Sequence, residues 1–399
     1  MKLQLTKDKT IEIKFPSGGG ARSAGDITGI ELFAPGETDC PAVRLIRKKK
    51  GWHIAATGFV KSPNGELPMR WEDTPHQPIW EMPREFTSPH AALAANSPMA
   101  TFAQSTADAV VQDMMAGLPA QDIKSTSAEK ASLDGKKRFG IKRDQPAAQP
   151  QKPATTPEAS AHRPEFPEAG KPVSENGRRF VVRPMAEENF HLCASLPEFQ
   201  TLWLSRLLPE GKRPTASSIQ VSESALMASI LLQPEFIAAD GSALAIFARP
   251  DSTYLAGYKK GEPVLWRRCP GVGGTLAMRE TVRATLGLDE ELVDSVLNES
   301  LIDPRPALEP FVRPILGQLS LSLDYLAGKH GLKFDHAFLM GIGAGAAHWS
   351  AYAEESLHLK LLSPDPFEGL VVDKGVESGN ASRQLVALGA AIAGMEATT

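Results

Sequence analysis

The stretch from Pro314 to Phe367 constrains the fold more than any other part of this chain. An apolar-periodic helix ends near Gly328, and a short strand follows over residues 337–340. Next comes the glycine loop Gly341-Ile342-Gly343-Ala344-Gly345. A second helix over 348–356 and a second strand over 357–362 then close on Pro364-Asp365-Pro366-Phe367. Strand, glycine turn and helix together aim backbone N–H groups and a helix N-terminus at a phosphate. The order predicts a nucleotide-binding fold and raises the question of whether the rest of the chain supplies the chemistry.

A chain of 399 residues has room for two domains, each with its own core. The net charge of −4 gives no global attraction to nucleic acid or to an anionic membrane. Three widely spaced cysteines, Cys40, Cys193 and Cys269, form neither a disulfide framework nor a metal-binding pair, which fits a reducing compartment. No apolar run approaches the roughly 20 residues that span a bilayer, and the N-terminus lacks an apolar signal core. The expectation is a cytoplasmic protein. The nine histidines show no metal-ligand spacing, and no G-x-S-x-G elbow is present for nucleophilic catalysis.

Along the chain, residues 3–15 read as a hairpin and 27–33 as a strand. Residues 43–47 and 52–56 are strands joined at a lysine-rich turn. Residues 69–98 are irregular and proline-dotted, and 106–118 has the period of an amphipathic helix. Residues 119–177 hold eight prolines and few large apolar side chains. Such a segment cannot bury enough surface to offset its ordering entropy and reads as a disordered linker. Ser195-Leu196-Pro197-Glu198 matches a capping box opening a helix to about Leu208. Ser222 can cap another helix that Pro234 ends. Residues 243–248 form a buried strand, 253–258 and 263–267 a hairpin, and 275–286 a helix. Asp289 can cap the next helix, with Leu292, Val293, Val296 and Leu297 on one face. Strand, hairpin, break and helix thus recur, first from Ile27 and again from Ala243.

This duplicated layout resembles the actin and sugar-kinase ATPase fold. Within it, the likeness is to the PilM family (FtsA/PilM type), actin-like components of type IV pilus assembly. Three stretches carry it. Residues 41–68 hold a hairpin with a lysine-rich turn before Gly51-Trp52. Residues 261–274 run from a Gly-x-Pro segment to Gly273-Gly274. Residues 318–367 hold Ser322-Leu323-Asp324-Tyr325, the glycine turn and Asp365-Pro366-Phe367. The implied fold class is α/β: an actin-like (ribonuclease-H-like) two-domain fold with a duplicated mixed β-sheet, flanking helices and a long disordered insertion. Residues 1–118 would form the first half of domain I, 119–177 the Pro-rich linker and 178–240 the remainder of domain I. Residues 241–370 would form domain II, and 371–399 a C-terminal helix returning to domain I.

The resemblance implies three nucleotide loops. In the first two, a carboxylate at a strand end holds Mg²⁺ through water, and a glycine beside it admits the phosphates. Here Glu31 stands at the first carboxylate position, but Phe33 stands where the family has glycine. In the second, aligning Thr253 puts Phe247 at the carboxylate and Arg249 at the glycine, with Asp251 four residues late. The third keeps Gly341 and Gly343. If nucleotide binding is retained, the residues implied are Glu31, Thr253, Gly273, Gly274, Gly341, Gly343 and Gly345. Metal-assisted phosphoryl transfer needs the missing groups for charge neutralisation and positioning, so the expectation is a pseudo-ATPase with no obligatory cofactor and with ATP and Mg²⁺ as the only ligands in view. The partner that the resemblance implies is the cytoplasmic N-terminal tail of a PilN-like inner-membrane protein, with the chain peripheral to that membrane.

Three other readings stand beside this one. The first is the actin-like cytoplasmic component of a type II secretion system. The second is an active ATPase or sugar kinase using Glu31 and Asp251. The third is a dinucleotide enzyme, since Gly341–Ala346 fits G-x-G-x-x-G/A and Asp365 lies on the far side of the next strand.

Overall fold

The computed structural model describes residues 2–5, 11–14, 25–48, 51–62, 82–96, 101–106, 173–175, 178–184, 190–197, 215–269, 271–298, 302–376 and 381–397. An N-terminal antiparallel hairpin pairs β1 (Lys2–Leu5) with β2 (Ile11–Lys14). The first lobe is built on β3 (Asp26–Leu32), β4 (Cys40–Lys48), β5 (Gly51–Val60) and β6 (His90–Ala95). Beside it, β7 (Thr101–Thr106), β8 (Val173–Glu175), β9 (Arg178–Pro184) and β10 (Phe190–Pro197) form a separate antiparallel sheet in the order β7-β10-β9-β8. β11 (Thr215–Val221) then returns to the first sheet, parallel to β6.

Two short helices, α1 (Ser222–Ala228) and α2 (Pro234–Ala238), lead into the second lobe. There β12 (Ala243–Ala248), β13 (Thr253–Lys259) and β14 (Glu262–Arg268) form a meander. Three helices follow: α3 (Thr275–Leu286), α4 (Val293–Asn298) and α5 (Arg305–His330). The unit β15 (His336–Met340), α6 (Ala346–Leu357) and β16 (Lys360–Leu362) completes the lobe. β17 (Val371–Val372) then pairs with β5 of the first lobe, and α7 (Leu385–Ala397) ends the described chain.

The two sheets share one plan. In the first, β3 lies antiparallel to β4, which turns into β5, and parallel to β6 and then β11. In the second, β12 lies antiparallel to β13, which turns into β14, and parallel to β15 and then β16. The sequence of β12, ALAIFA, is buried at every position, as a central strand covered on both faces requires. Its Leu244 and Ile246 face a core built with α3, α5 and α6. Its Ala245 and Phe247 face a second core shared with α1, α7 and the first sheet, so one apolar cluster passes through both lobes. Helix α7 (LVALGAAIAGMEA) can lie flat on β3 because its contact residues are small: Ala387, Ala390 and Ala391 are fully buried.

Several sequence expectations are corrected. The predicted capping box at Ser195 is the end of β10, whose Phe190, Leu192, Ala194 and Leu196 alternate as a strand should; the rest of that helix, to Leu208, lies outside the described residues. Pro234 opens α2 rather than ending a helix, as its fixed φ and missing donor allow at a first helical position. Neither Ser222 nor Asp289 caps through its side chain, and Leu292 is exposed. The strand expected from Leu357 begins at Lys360, because α6 runs on to a left-handed cap at His358. Helix α5 starts at Arg305 and continues past Gly328 to His330, through Pro310 and Pro314. Pro306, Pro310 and Pro314 are spaced by four and all exposed. They stack on the solvent side, where carbonyls tilt outward and water satisfies them. Residues 107–118, most of the 119–177 linker and the region around Trp71 and Trp80 lie outside the described residues; the linker contributes β8.

Within α5, Gly317 is exposed, and an added Cβ would meet nothing within 4 Å. Gly317→Ala is therefore expected to stabilise the protein by about 0.5–1 kcal/mol, read as a raised denaturation midpoint, since only helix propensity changes.

Candidate functional site

The shared plan of the two sheets brings their first strands end to end. Glu31 is the penultimate residue of β3 and lies on the same side of the strand as Ile27 and Gly29, which face α7. Arg249 follows directly after β12, on the side of Phe247. The two side chains meet across the lobes: Arg249 Nη2 donates to Glu31 Oε1 at 3.0 Å, and each side chain is 5% exposed. The same guanidinium donates from Nε to Asp251 Oδ1 at 3.4 Å, and Asp251 is 40% exposed. Its Nη1 is buried and has no hydrogen-bond partner among the described residues.

Burial dominates the electrostatics of this pair. Desolvation pushes the Glu31 carboxyl up to about 7, against the pull of Arg249, with Asp251 and Glu37 adding a smaller push. Arg249 is held charged by Glu31, Asp251 and Glu223 despite its burial. Beside it, the Tyr254 hydroxyl donates to Glu223 Oε1 at 3.2 Å, and burial with that carboxylate raises the phenol to about 12. Cys40 and Cys269 are buried thiols pushed up to about 11 and about 12, which leaves them unreactive.

After Glu31 the chain turns through Phe33, whose φ of 57° places a non-glycine residue in the left-handed region. The turn is fixed by Asn96, whose backbone N–H bonds Leu32 O and whose side-chain amide bonds Phe33 O. The backbone thus takes a glycine-type conformation at the position where the resemblance calls for glycine, although the side chain is Phe. Sequence reasoning on residue type alone could not see this.

The second loop is a tight turn in which Arg249 N–H donates to Ser252 O at 2.8 Å. Thr253, nominated from the sequence, donates its hydroxyl to Gly273 O at 3.2 Å. Gly274 packs so closely that an added Cβ would lie 2.0 Å from Arg249 O. That approach lets the first amides of α3 reach the loop: Thr275 N–H donates to Arg249 O at 2.8 Å and Leu276 N–H to Pro250 O at 3.1 Å. Two of the donors that a free helix N-terminus would offer to an anion are therefore bonded within the chain. Leu276 also reaches the first lobe, with its Cδ1 3.0 Å from where a Cβ on Gly36 would stand.

The third loop joins the same place. Gly341, Gly343 and Gly345 all have positive φ, and a Cβ on Gly341 would lie 2.7 Å from Ala248 O, at the end of β12. Gly345 is the N-cap of α6, with no side-chain cap. Ser382 Oγ lies 3.7 Å from the Cβ position of Gly343, and nearby Arg383 pairs with Glu37 and stacks on Phe59 with its guanidinium 5.0 Å from the ring centre. The seven nominated residues thus lie in four places: Glu31 near the end of β3, Thr253 at the start of β13, Gly273 and Gly274 before α3, and Gly341, Gly343 and Gly345 between β15 and α6. The residue that reading by type did not nominate is Arg249, which the sequence marked only as a lost glycine.

Asp365 is spent locally: its Oδ1 accepts from Phe367 N–H at 2.9 Å, which turns Phe367 into the shared core. β15, α6 and β16 form a parallel unit at the edge of a mixed sheet, and no further parallel strand follows β16 in that sheet among the described residues. This differs from the doubly wound sheet that the dinucleotide reading requires. No helix among the described residues is long and apolar enough to cross a membrane.

No protein-family model and no curated protein matches this chain. Among solved structures it is similar to the PilM-PilN type IV pilus biogenesis complex, with a TM-score of 0.54 at 14% identity, over 94% of this chain and 99% of that one. Two other structures align with lower TM-scores. A Bacteroides thetaiotaomicron protein with an actin-like ATPase fold gives 0.38 at 7% identity, over 87% of this chain and 95% of that one. The ethanolamine utilization protein EutJ from Carboxydothermus hydrogenoformans gives 0.28 at 12% identity, over 46% and 57%. The fold is actin-like, with the duplicated sheet that the sequence predicts.

Proposed function

We propose that this chain is an actin-like adaptor of a type IV pilus or related secretion assembly platform. In this reading it sits on the cytoplasmic face of the inner membrane and binds the cytoplasmic tail of a PilN-like protein without hydrolysing ATP. The observation that carries the reading is the likeness to the PilM-PilN complex along nearly the whole of both chains. The three sequence stretches that resemble the family support it independently. Abstention from hydrolysis is supported by the commitment of Glu31 to Arg249 and by the absence of a carboxylate at the end of β12, where Phe247 is buried in the core. A tail of this kind would bind as an added strand or in an apolar groove.

Co-expression with a single-span protein of the PilN type tests the reading. The two proteins are expected to co-purify from detergent, and deletion of the partner's N-terminal tail is expected to abolish capture. Failure to co-purify, together with Mg²⁺-dependent ATP turnover that Glu31→Ala removes, would replace the adaptor with an ATPase.

A further inference from the structure

The resemblance implies a metal-bound nucleotide between the lobes, and the side chains at the loops do not fit one. A divalent cation needs carboxylate oxygens free to reach it or its waters. Among the described residues, Glu31 is the one carboxylate at the two strand ends, and its Oε1 is engaged by a guanidinium at 3.0 Å. Asp251 turns outward, where its Oδ1 accepts from Ser252 Oγ at 3.1 Å. A fixed positive charge, 5% exposed, stands between them and would repel a second cation. The amides that would face a phosphate at the start of α3 are bonded to Arg249 O and Pro250 O.

We propose that Arg249 is the chain's own cation at this position. Rooted in the second lobe, it grips Glu31 of the first and holds the lobes closed without nucleotide. Arginine suits the task, because its planar fork stays charged when buried and can hold Glu31 and Asp251 at once. The contact of Leu276 of the second lobe with Gly36 of the first crosses the same junction and closes with it. The inference rests on the adaptor reading only for the exclusion of metal–nucleotide; the lobe tie stands without it.

Amide hydrogen exchange on the full chain separates these claims. The double variant Glu31→Gln/Arg249→Met, which leaves no buried charge unpaired, is expected to raise exchange at least about tenfold in residues 33–37 and 273–278, which line the junction from each lobe, and to leave residues 43–46 and 312–316 close to the wild type. Arg249→Met alone strands a buried charge, so exchange should rise in all four segments with the loss of global stability. Arg249→Lys is expected to show a smaller junction rise than the double variant, since a single ammonium keeps the charge but loses the fork. In the double variant, unchanged exchange at the junction, or an equal rise in all four segments, would overturn the tie. The same measurement with Mg²⁺–ATP is expected to give no added protection in the wild type. Protection there would overturn the exclusion of nucleotide while leaving the tie and the capture of a membrane partner to their own tests.

Discussion

Gly389→Ala is expected to destabilise the protein by about 3 kcal/mol or more, the upper end of what overpacking by a methyl group costs. An ideal Cβ at this position would lie 1.8 Å from Ala225 O and 3.1 Å from Ser229 N, both backbone atoms of the α1 region. No side chain can rotate away, so α1 and α7 must separate. The gain in helix propensity from glycine to alanine, about 1 kcal/mol, has the opposite sign and is too small to win. Helix α7 cannot slide to relieve the clash, because its other face is pinned on the sheet. There Gly29 approaches so closely that its Cβ would stand 2.0 Å from Ala387 O. Because this helix packs into the apolar cluster that both lobes share, the loss should appear as a lower urea midpoint for the whole cooperative transition. A denaturation curve for Gly389→Ala that overlays the wild type would show that α7 does not cross α1 as described.

The second large effect concerns the buried pair. Removing one partner of such a pair costs about 3–5 kcal/mol because the other charge is stranded. Arg249→Met at pH 8 is expected to fall in that range. Adding Glu31→Gln should recover most of the loss, leaving the double variant within about 1 kcal/mol of the wild type, since a buried pair replaced by neutral groups is often nearly neutral. The double-mutant cycle should therefore return a coupling well above 1 kcal/mol. The pH dependence follows from the Glu31 carboxyl. Burial lifts it from an ordinary 4.5 to about 7, so the folded chain holds this proton more tightly than the unfolded one. Its contribution to stability is then greatest below about 4.5 and declines as pH rises to about 7. Glu31→Gln should flatten that part of the stability–pH curve, and a slope of unchanged size in the variant would assign it to other groups.

The duplicated plan was legible because its signals are local. Lysine–glycine turns mark both hairpins, at Lys48 to Gly51 and at Lys260-Gly261, and an unbroken apolar run marks β12. Helix α3 was legible to the residue, since glycines flank it on both sides. Elsewhere two local rules competed, and the longer-range one won. Ser195-Leu196-Pro197-Glu198 satisfies a capping pattern, but the alternation from Phe190 to Leu196 lets the segment pair with both β7 and β9. Pro306, Pro310 and Pro314 do not break α5, because they share a face that never needs to be buried. At the site, the sequence recorded a carboxylate at Glu31 and an arginine at Arg249 where the resemblance calls for glycine. It could not show that the two side chains pair, because Glu31 and Arg249 are 218 residues apart and meet only when equivalent strand ends of the two lobes face each other. The signal available was that pairing of an acid and a base at duplicated positions. The left-handed backbone at Phe33 left no trace in residue type at all.

A thermal-shift titration of the full chain with Mg²⁺–ATP, beside the Gly341→Glu variant, tests the central claim most directly. A ligand at ~100 times its Kd that binds only the folded state adds ~2.7 kcal/mol of stability. An actin-like adaptor whose cleft is closed by Arg249 predicts no shift with ATP, ADP or NAD in either protein. A clear rise with Mg²⁺–ATP that disappears in Gly341→Glu would contradict it and return the glycine loop to nucleotide binding.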